Sequence, residues 1–130
     1  MYTAVTRNIR VTVMSRFLAE ESSPEDGRFF FAYTVEITNL GPERVQLRAR
    51  YWKIVDGRGQ VQEVRGTGVV GEQPVLGPGE TFNYTSGCPL TTPDGSMEGS
   101  YVMVTPGGES FNAAIPPFPL DSPHATRVVH

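Results

Sequence analysis

The clearest strand in the sequence is the stretch Phe29-Phe30-Phe31-Ala32-Tyr33-Thr34-Val35-Glu36-Ile37-Thr38-Asn39. Every second side chain along its middle is bulky and apolar: Phe31, Tyr33, Val35 and Ile37. A period of two residues is typical of a β-strand with one face in a core. The following Leu40-Gly41-Pro42 ends the run. The stretch therefore predicts a half-buried strand that ends at a turn.

Working outward, the same reasoning predicts six further strands, over residues 5–17, 45–55, 60–65, 81–86, 97–105 and 110–115. In the first of these, Ile9, Val11 and Val13 share the inner face. In residues 45–55, Val45, Leu47 and Ala49 are predicted to face inward, and the apolar parity then changes at Trp52, which predicts a β-bulge near Tyr51. About seven short strands without helical periodicity predict an all-β, immunoglobulin-like sandwich of antiparallel strands.

The 14 Gly and 11 Pro residues fall mostly between these runs, as turns require. Asp56-Gly57-Arg58-Gly59 is predicted to connect a hairpin. We expect one domain over residues 1–130, with a core over about 3–120 and an extended tail over 116–130 that begins Pro116-Pro117. Phe118 and Leu120 are expected to fold back on the sandwich as apolar anchors. The alternative is that this tail is a ligand for a proline-reading module.

The charge balance indicates which classes of partner the protein is expected to bind. Eleven basic and fourteen acidic residues give a net charge of −3, which argues against a nucleic-acid-binding domain that neutralises phosphates. Ten of the basic residues are arginine and only Lys53 is lysine, so local planar contacts with anions stay open.

Cysteine content and hydropathy indicate the cellular compartment in which the protein is expected to lie. Cys88 is the only cysteine, so no internal disulfide is expected and a reducing compartment fits best. Residues 1–10 carry Arg7 and Arg10 and no apolar run of signal-peptide length, and no apolar stretch approaches membrane-spanning length. We expect a cytoplasmic protein that does not enter membranes.

Catalytic, metal and cofactor sites are not indicated. His124 and His130 lie in the tail, and Cys88 has no second cysteine to share a zinc ion. Cys88 is interpreted as a small strand-end residue rather than a nucleophile. The acidic residues 20–27 are interpreted as a solvated loop, the alternative being a cation site.

The pattern Gly66-Thr67-Gly68-Val69-Val70-Gly71 has the spacing of a dinucleotide-binding loop. Pro74 and Pro78 follow too soon for the helix that such a loop requires, so that interpretation is rejected. The glycines then either serve positive φ or close packing at a sandwich corner, or present amides that bind phosphate together with Arg65.

A second group of candidates lies on the neighbouring predicted strand. Trp52 and Tyr51 lie beside Arg48 and Arg50, which suggests a surface that contacts another protein through aromatic rings and two cations. In the alternative interpretation, Trp52 fills the core and the two arginines form an outward, solvated face.

Three stretches resemble the bacterial ApaG family, also called CorD. They are Arg50-Tyr51-Trp52-Lys53-Ile54-Val55-Asp56-Gly57, Val64-Arg65-Gly66-Thr67-Gly68-Val69-Val70-Gly71-Glu72-Gln73-Pro74 and Pro78-Gly79-Glu80-Thr81-Phe82-Asn83-Tyr84-Thr85-Ser86-Gly87. Shorter matches at residues 6–11, 22–24, 31–33, 95–101 and 115–118 extend the resemblance over nearly the whole chain.

The resemblance implies a fibronectin type III-like sandwich. It also implies a genetic link to cobalt resistance and magnesium efflux, and a domain shared with eukaryotic F-box and polymerase-interacting proteins. It further implies pyrophosphate as a ligand that the family's glycine motif has been proposed to bind, here at Gly66, Gly68 and Gly71.

We therefore expect a non-catalytic interaction domain that binds an unidentified protein, as a monomer or a weak homo-oligomer. The alternative is a domain that binds pyrophosphate or a nucleotide.

Overall fold

The computed structural model describes residues 1–125 and shows two antiparallel β-sheets packed face to face. The strands are β1 (Tyr2–Thr6), β2 (Ile9–Phe17), β3 (Phe29–Asn39), β4 (Val45–Asp56), β5 (Val61–Thr67), β6 (Val75–Leu76), β7 (Thr81–Leu90), β8 (Asp94–Val104) and β9 (Ser110–Asp121). The first sheet has the order β1-β2-β3-β7, and the second has the order β5-β4-β8-β9 with β6 paired to β4. The all-β sandwich predicted from the sequence is confirmed.

The predicted strand over residues 5–17 is in fact two strands joined by a tight hairpin. Thr6 pairs with Ile9 across the turn. Arg7 and Asn8 between them both have positive φ, of 44° and 68°, as the favoured two-residue hairpin turns require. Val11, with its neighbours on the inner face of β2, is fully buried, as predicted.

The predicted bulge exists, but it lies three residues before Tyr51. The pairing of β4 with β8 shifts register between Leu47 and Ala49, which makes Arg48 the extra residue. Because one extra residue reverses the direction of every later side chain, Leu47 and Trp52 both reach the core. The same reversal turns Arg50 inward, although the sequence predicted it outward.

The core between the sheets is centred on aromatic side chains. Trp52 is 3% exposed and meets Tyr33 edge to face, with ring centroids 5.1 Å apart. Phe118 also contacts the Trp52 ring, at 6.0 Å. Such edge contacts contribute about 0.5–1.5 kcal/mol beyond the area that they bury.

The proline-rich segment belongs to the sandwich. β9 continues from Ser110 to Asp121 instead of ending at Ile115, and Phe118 and Leu120 are buried at 2% and 0% exposure. Proline is accommodated because β9 is an edge strand whose outer side needs no amide donor. Residues 126–130 of the predicted tail, which include His130, lie outside the described residues.

Short helices and hydrogen bonds hold the loops in place. The acidic loop over residues 19–27 contains two short 3-10 helices, Ala19–Glu21 and Pro24–Asp26. Asn39, only 1% exposed, donates from its side-chain amide to the carbonyl oxygens of Glu43 (2.6 Å) and Leu76 (2.9 Å) and accepts from the Gly41 amide. The bond to Leu76 connects the end of β3 to β6, and the other two bonds hold the turn that follows β3.

Candidate functional site

The glycine pattern forms the turn that follows β5. Val69 and Glu72 exchange backbone hydrogen bonds of 2.8 Å in both directions. Val70 and Gly71 between them have φ of 43° and 80°, which is again the geometry of a two-residue hairpin turn. No helix follows, in agreement with the rejection of a dinucleotide-binding loop.

Gly68 occupies a position where any side chain would be strained. Its φ is +63°, and a Cβ there would overlap the carbonyl oxygen of Glu72 and lie 3.0 Å from its carbonyl carbon. The Gly68 amide donates to the carbonyl of the bulged residue Arg48 at 2.8 Å, and the Gln73 side-chain amide donates to the same oxygen at 3.0 Å. The turn is therefore fastened to the bulge in β4.

Gly66 makes room for Arg50. A Cβ on Gly66 would lie 2.7 Å from Cζ of Arg50, so the guanidinium rests directly against the glycine backbone. Nη1 of Arg50 donates to the carbonyl oxygens of Thr67 (3.0 Å) and Gly68 (2.9 Å). All three glycines thus have a structural reason: Gly66 for close packing, Gly68 for φ and close packing, and Gly71 for φ.

Arg65 lies on the opposite face of the same sheet. Its guanidinium carbon is 4.6 Å above the centre of the Tyr51 ring, and its Nη2 is 3.3 Å from Oε2 of Glu63. Tyr51 donates its hydroxyl to the same Glu63 oxygen at 2.7 Å, and this hydrogen bond is the main reason why the pKa of Tyr51 is raised. We define this group of Arg65, Tyr51 and Glu63 as the outer cluster.

This arrangement separates the parts of the predicted phosphate site. Arg65 is on the outer face, while Gly66 and Arg50 are on the inner face. The amides of Gly68 and Val69 already donate to backbone carbonyls. Within residues 1–125, only the tip amides at Val70 and Gly71 lack a backbone acceptor in this turn.

The three predicted protein-contact residues occupy different environments. Arg48 is exposed, and its Nε donates to Oε1 of Gln46 at 2.7 Å. Arg50 is half-buried on the inner face, and Trp52 is in the core. Tyr51 is the aromatic residue of this strand that reaches the outer face. Correct placement of the bulge would have revealed this, because strand alternation opposes Tyr51 to Trp52.

Several buried polar groups lie between the sheets near Arg50. The hydroxyls of Tyr84 and Tyr101 hydrogen-bond to each other. Burial raises the pKa of both, and of Tyr33, while the nearby Arg50 charge opposes the rise. The Trp52 indole N–H is also buried and has no acceptor within the described residues, a state that costs about 1–3 kcal/mol.

Cys88 is not arranged as a nucleophile. It lies inside β7 at 3% exposure, and burial raises the pKa of its thiol to about 11. The thiol is therefore protonated at neutral pH, whereas nucleophilic cysteines need the thiolate. No three His, Cys, Asp or Glu side chains in the described part of the chain are grouped so that they could hold a metal ion. None of its helices is long and apolar enough to cross a membrane.

Comparison with known proteins places this geometry in a family. Residues 19–105 match the ApaG domain. The chain is 69% identical to Protein ApaG of Methylobacterium sp. (strain 4-46) and 71% identical to Protein ApaG of Methylorubrum populi, over all 130 residues and the full length of both relatives. The crystal structure of a Bordetella pertussis protein named ApaA superposes with a TM-score of 0.87 at 50% identity, covering 90% of this chain and 95% of that one. The chain therefore belongs to the ApaG family.

Proposed function

We propose that this protein is a non-catalytic interaction domain that binds a protein partner through the outer face of the β5-β4-β8-β9 sheet, with the outer cluster at the centre. The observation that carries the proposal is the stacking of Arg65 on Tyr51, because arginine and tyrosine are enriched among the residues that dominate binding energy at protein interfaces.

The outer cluster is held in place before any partner arrives. Glu63 accepts from the Tyr51 hydroxyl and pairs with Arg65, so both long side chains already have one preferred position. A partner therefore loses less affinity to side-chain ordering on this surface. The Arg65 and Glu63 side chains remain 71% and 48% exposed, which leaves them accessible.

The surroundings of the outer cluster also suit an interface. Across the sheet from Tyr51, the paired residues on β8 and β9 are Ser100 and Ala114, which are both small. Exposed apolar side chains lie at the start of β5, where Val61 is 56% exposed, and in the turn after β5, where Val70 is 55% exposed. An aromatic and cationic centre with apolar residues around it is typical of protein contact surfaces.

The family resemblance supports this assignment through the domain that adaptor-like eukaryotic proteins share. In this proposal the protein acts in the cytoplasm, and the link to cobalt resistance and magnesium efflux is exerted through the bound partner. The alternative ligand, pyrophosphate or a nucleotide, has less support because Arg65 and the glycine turn face different sides of the sheet.

The test compares partner capture by matched variants. In-cell crosslinking followed by reconstituted binding of the captured protein is done with wild type, with Tyr51→Ala/Arg65→Ala and with the control Tyr2→Ala/Arg16→Ala, which removes exposed residues of the same types from the other sheet. We expect the outer-cluster variant to bind about thirtyfold more weakly, as loss of about 2 kcal/mol implies. An unchanged captured set, or equal losses in both variants, contradicts the proposal.

Calorimetry distinguishes the alternative, a phosphate ligand, from a protein partner. Pyrophosphate, ATP and diadenosine tetraphosphate are titrated into wild type and Arg65→Ala. Low-micromolar binding that disappears in Arg65→Ala would favour the phosphate ligand over a protein partner.

A further inference from the structure

A cleft opens on the inner face of the hairpin formed by β4 and β5, on the side opposite the outer cluster. It has a volume of about 270 Å³ and lies between β5 and β7, which are edge strands of opposite sheets. Its polar lining includes Tyr33, Arg50, Trp52 and Ser86, and its apolar lining includes Val64 and Met97. No carboxylate lines it within the described chain.

Arg50 gives the cleft an uncompensated positive charge. Among residues 1–125, no Asp or Glu lies within ion-pair distance of its guanidinium. Both of its hydrogen bonds use Nη1, so the N–H groups of Nε and Nη2 are free of protein acceptors in the described part. The contact with Gly66 and the two carbonyls fix the guanidinium in place, which preorganises it to receive an anion.

Trp52 supplies a second, independent indication. Its side chain lines the same cleft and is 97% buried, and its indole nitrogen is shielded from solvent and lacks an acceptor within residues 1–125. An indole N–H can only donate, as can a guanidinium. A half-buried cation and an orphaned donor on one cleft together favour a ligand that carries several acceptor atoms.

We propose that this cleft binds a small organic monocarboxylate. Its carboxylate bonds to Arg50, and its apolar body packs against Val64 and Met97. A small shift of the Trp52 ring brings the indole N–H to the same carboxylate. One cation matches one negative charge, whereas a phosphate dianion would bury a second charge among apolar walls. The volume is below the roughly 300–1,000 Å³ of drug-sized pockets, so a body of about one ring fits.

The experiment uses Trp52 itself as the reporter. Because the chain contains one tryptophan, its indole N–H gives a single, separate proton NMR signal. Phenylacetate is titrated as the probe, with benzyl alcohol as its uncharged counterpart. We expect phenylacetate to move the indole proton signal downfield in a saturable manner, as a new hydrogen bond to a carboxylate requires, and benzyl alcohol to leave it unmoved.

Three variants locate the site. Arg50→Met should weaken phenylacetate binding by about tenfold or more, as expected when a charge-assisted hydrogen bond is lost. Val64→Phe fills the cleft and leaves Arg50 itself unsubstituted, so it should abolish binding even if Arg50→Met folds poorly. Arg16→Met removes an exposed arginine from β2 and should bind as wild type does.

Several results would overturn the proposal. These are an unmoved indole signal up to about 10 mM phenylacetate, an equal response to benzyl alcohol, and undiminished binding in Val64→Phe. The assignment to a monocarboxylate would be overturned if pyrophosphate shifted the same indole proton signal and bound more tightly than phenylacetate.

Discussion

Replacing Gly68 by alanine tests whether the glycine turn is held by backbone contacts. Alanine in the left-handed region costs about 1–2 kcal/mol, and the Gly68 φ is +63°. The new methyl group would also overlap the Glu72 carbonyl, which cannot retreat without breaking its 2.8 Å bond from the Val69 amide. Such overpacking costs a further 1–3 kcal/mol or so. We expect Gly68→Ala to lower the free energy of unfolding by about 3 kcal/mol.

Gly71→Ala is the matched control for this substitution. Gly71 also has positive φ, +80°, but a Cβ there would meet nothing within 4 Å. Gly71→Ala should therefore lower the free energy of unfolding only by the cost of alanine at positive φ, about 1–2 kcal/mol. The difference between the two variants isolates the close approach of Gly68 to Glu72.

Urea unfolding followed by Trp52 fluorescence measures both variants, and thermal unfolding should show a fall of about 4 °C per kcal/mol for a domain of this size. Equal midpoints for Gly68→Ala and Gly71→Ala would refute the close-packing argument. Each melt is repeated with pyrophosphate. An unchanged midpoint in Gly68→Ala without ligand, together with a rise on adding pyrophosphate in wild type alone, would instead show that the glycines serve a phosphate.

Three further predictions follow from buried groups. Tyr84→Phe and Tyr101→Phe should each cost about 1–2 kcal/mol by leaving the other hydroxyl unpaired, while the double variant costs less than their sum in a double-mutant cycle. Burial raises the pKa of the Cys88 thiol to about 11 from an ordinary 9.0, so the free energy of unfolding should fall by up to about 3 kcal/mol as pH rises from 9 through 11. Urea unfolding of Cys88→Ala should lack this part of the alkaline loss. Asn39→Ala removes three hydrogen bonds at a buried site and should cost about 2–4 kcal/mol by the same assay, whereas the exposed Asn83→Ala should change little.

The sequence predicted the sandwich well because most strands bury one face, so that alternation such as Ile9, Val11 and Val13 is visible. It missed the β1–β2 turn because neither Arg7 nor Asn8 is the glycine that usually marks positive φ. It ended β9 too early because prolines normally interrupt a strand, and β9 permits them because it is an edge strand whose register shifts at Pro116 and Pro117.

The candidate site was harder to predict because it depends on one residue of register. The parity change between Leu47 and Trp52 shows that a bulge exists, but Ala49 carries too little apolar character to show where. Placing the bulge near Tyr51 instead of at Arg48 left Arg50 outward in the predicted strand. The cleft combines residues from five strands, and no local pattern in the sequence records that combination.

The bulge at Arg48 makes β4 a strand whose halves are out of phase. Deleting Arg48 would shorten no loop, yet it would bring the two halves of the strand into one uninterrupted alternation. Leu47 and Trp52 would then stand four positions apart instead of five, and both would still face the core. What the deletion would remove is the Arg48 carbonyl that accepts from the Gly68 amide and from the Gln73 side chain, so the core would keep its side chains and the glycine turn would lose its attachment to β4.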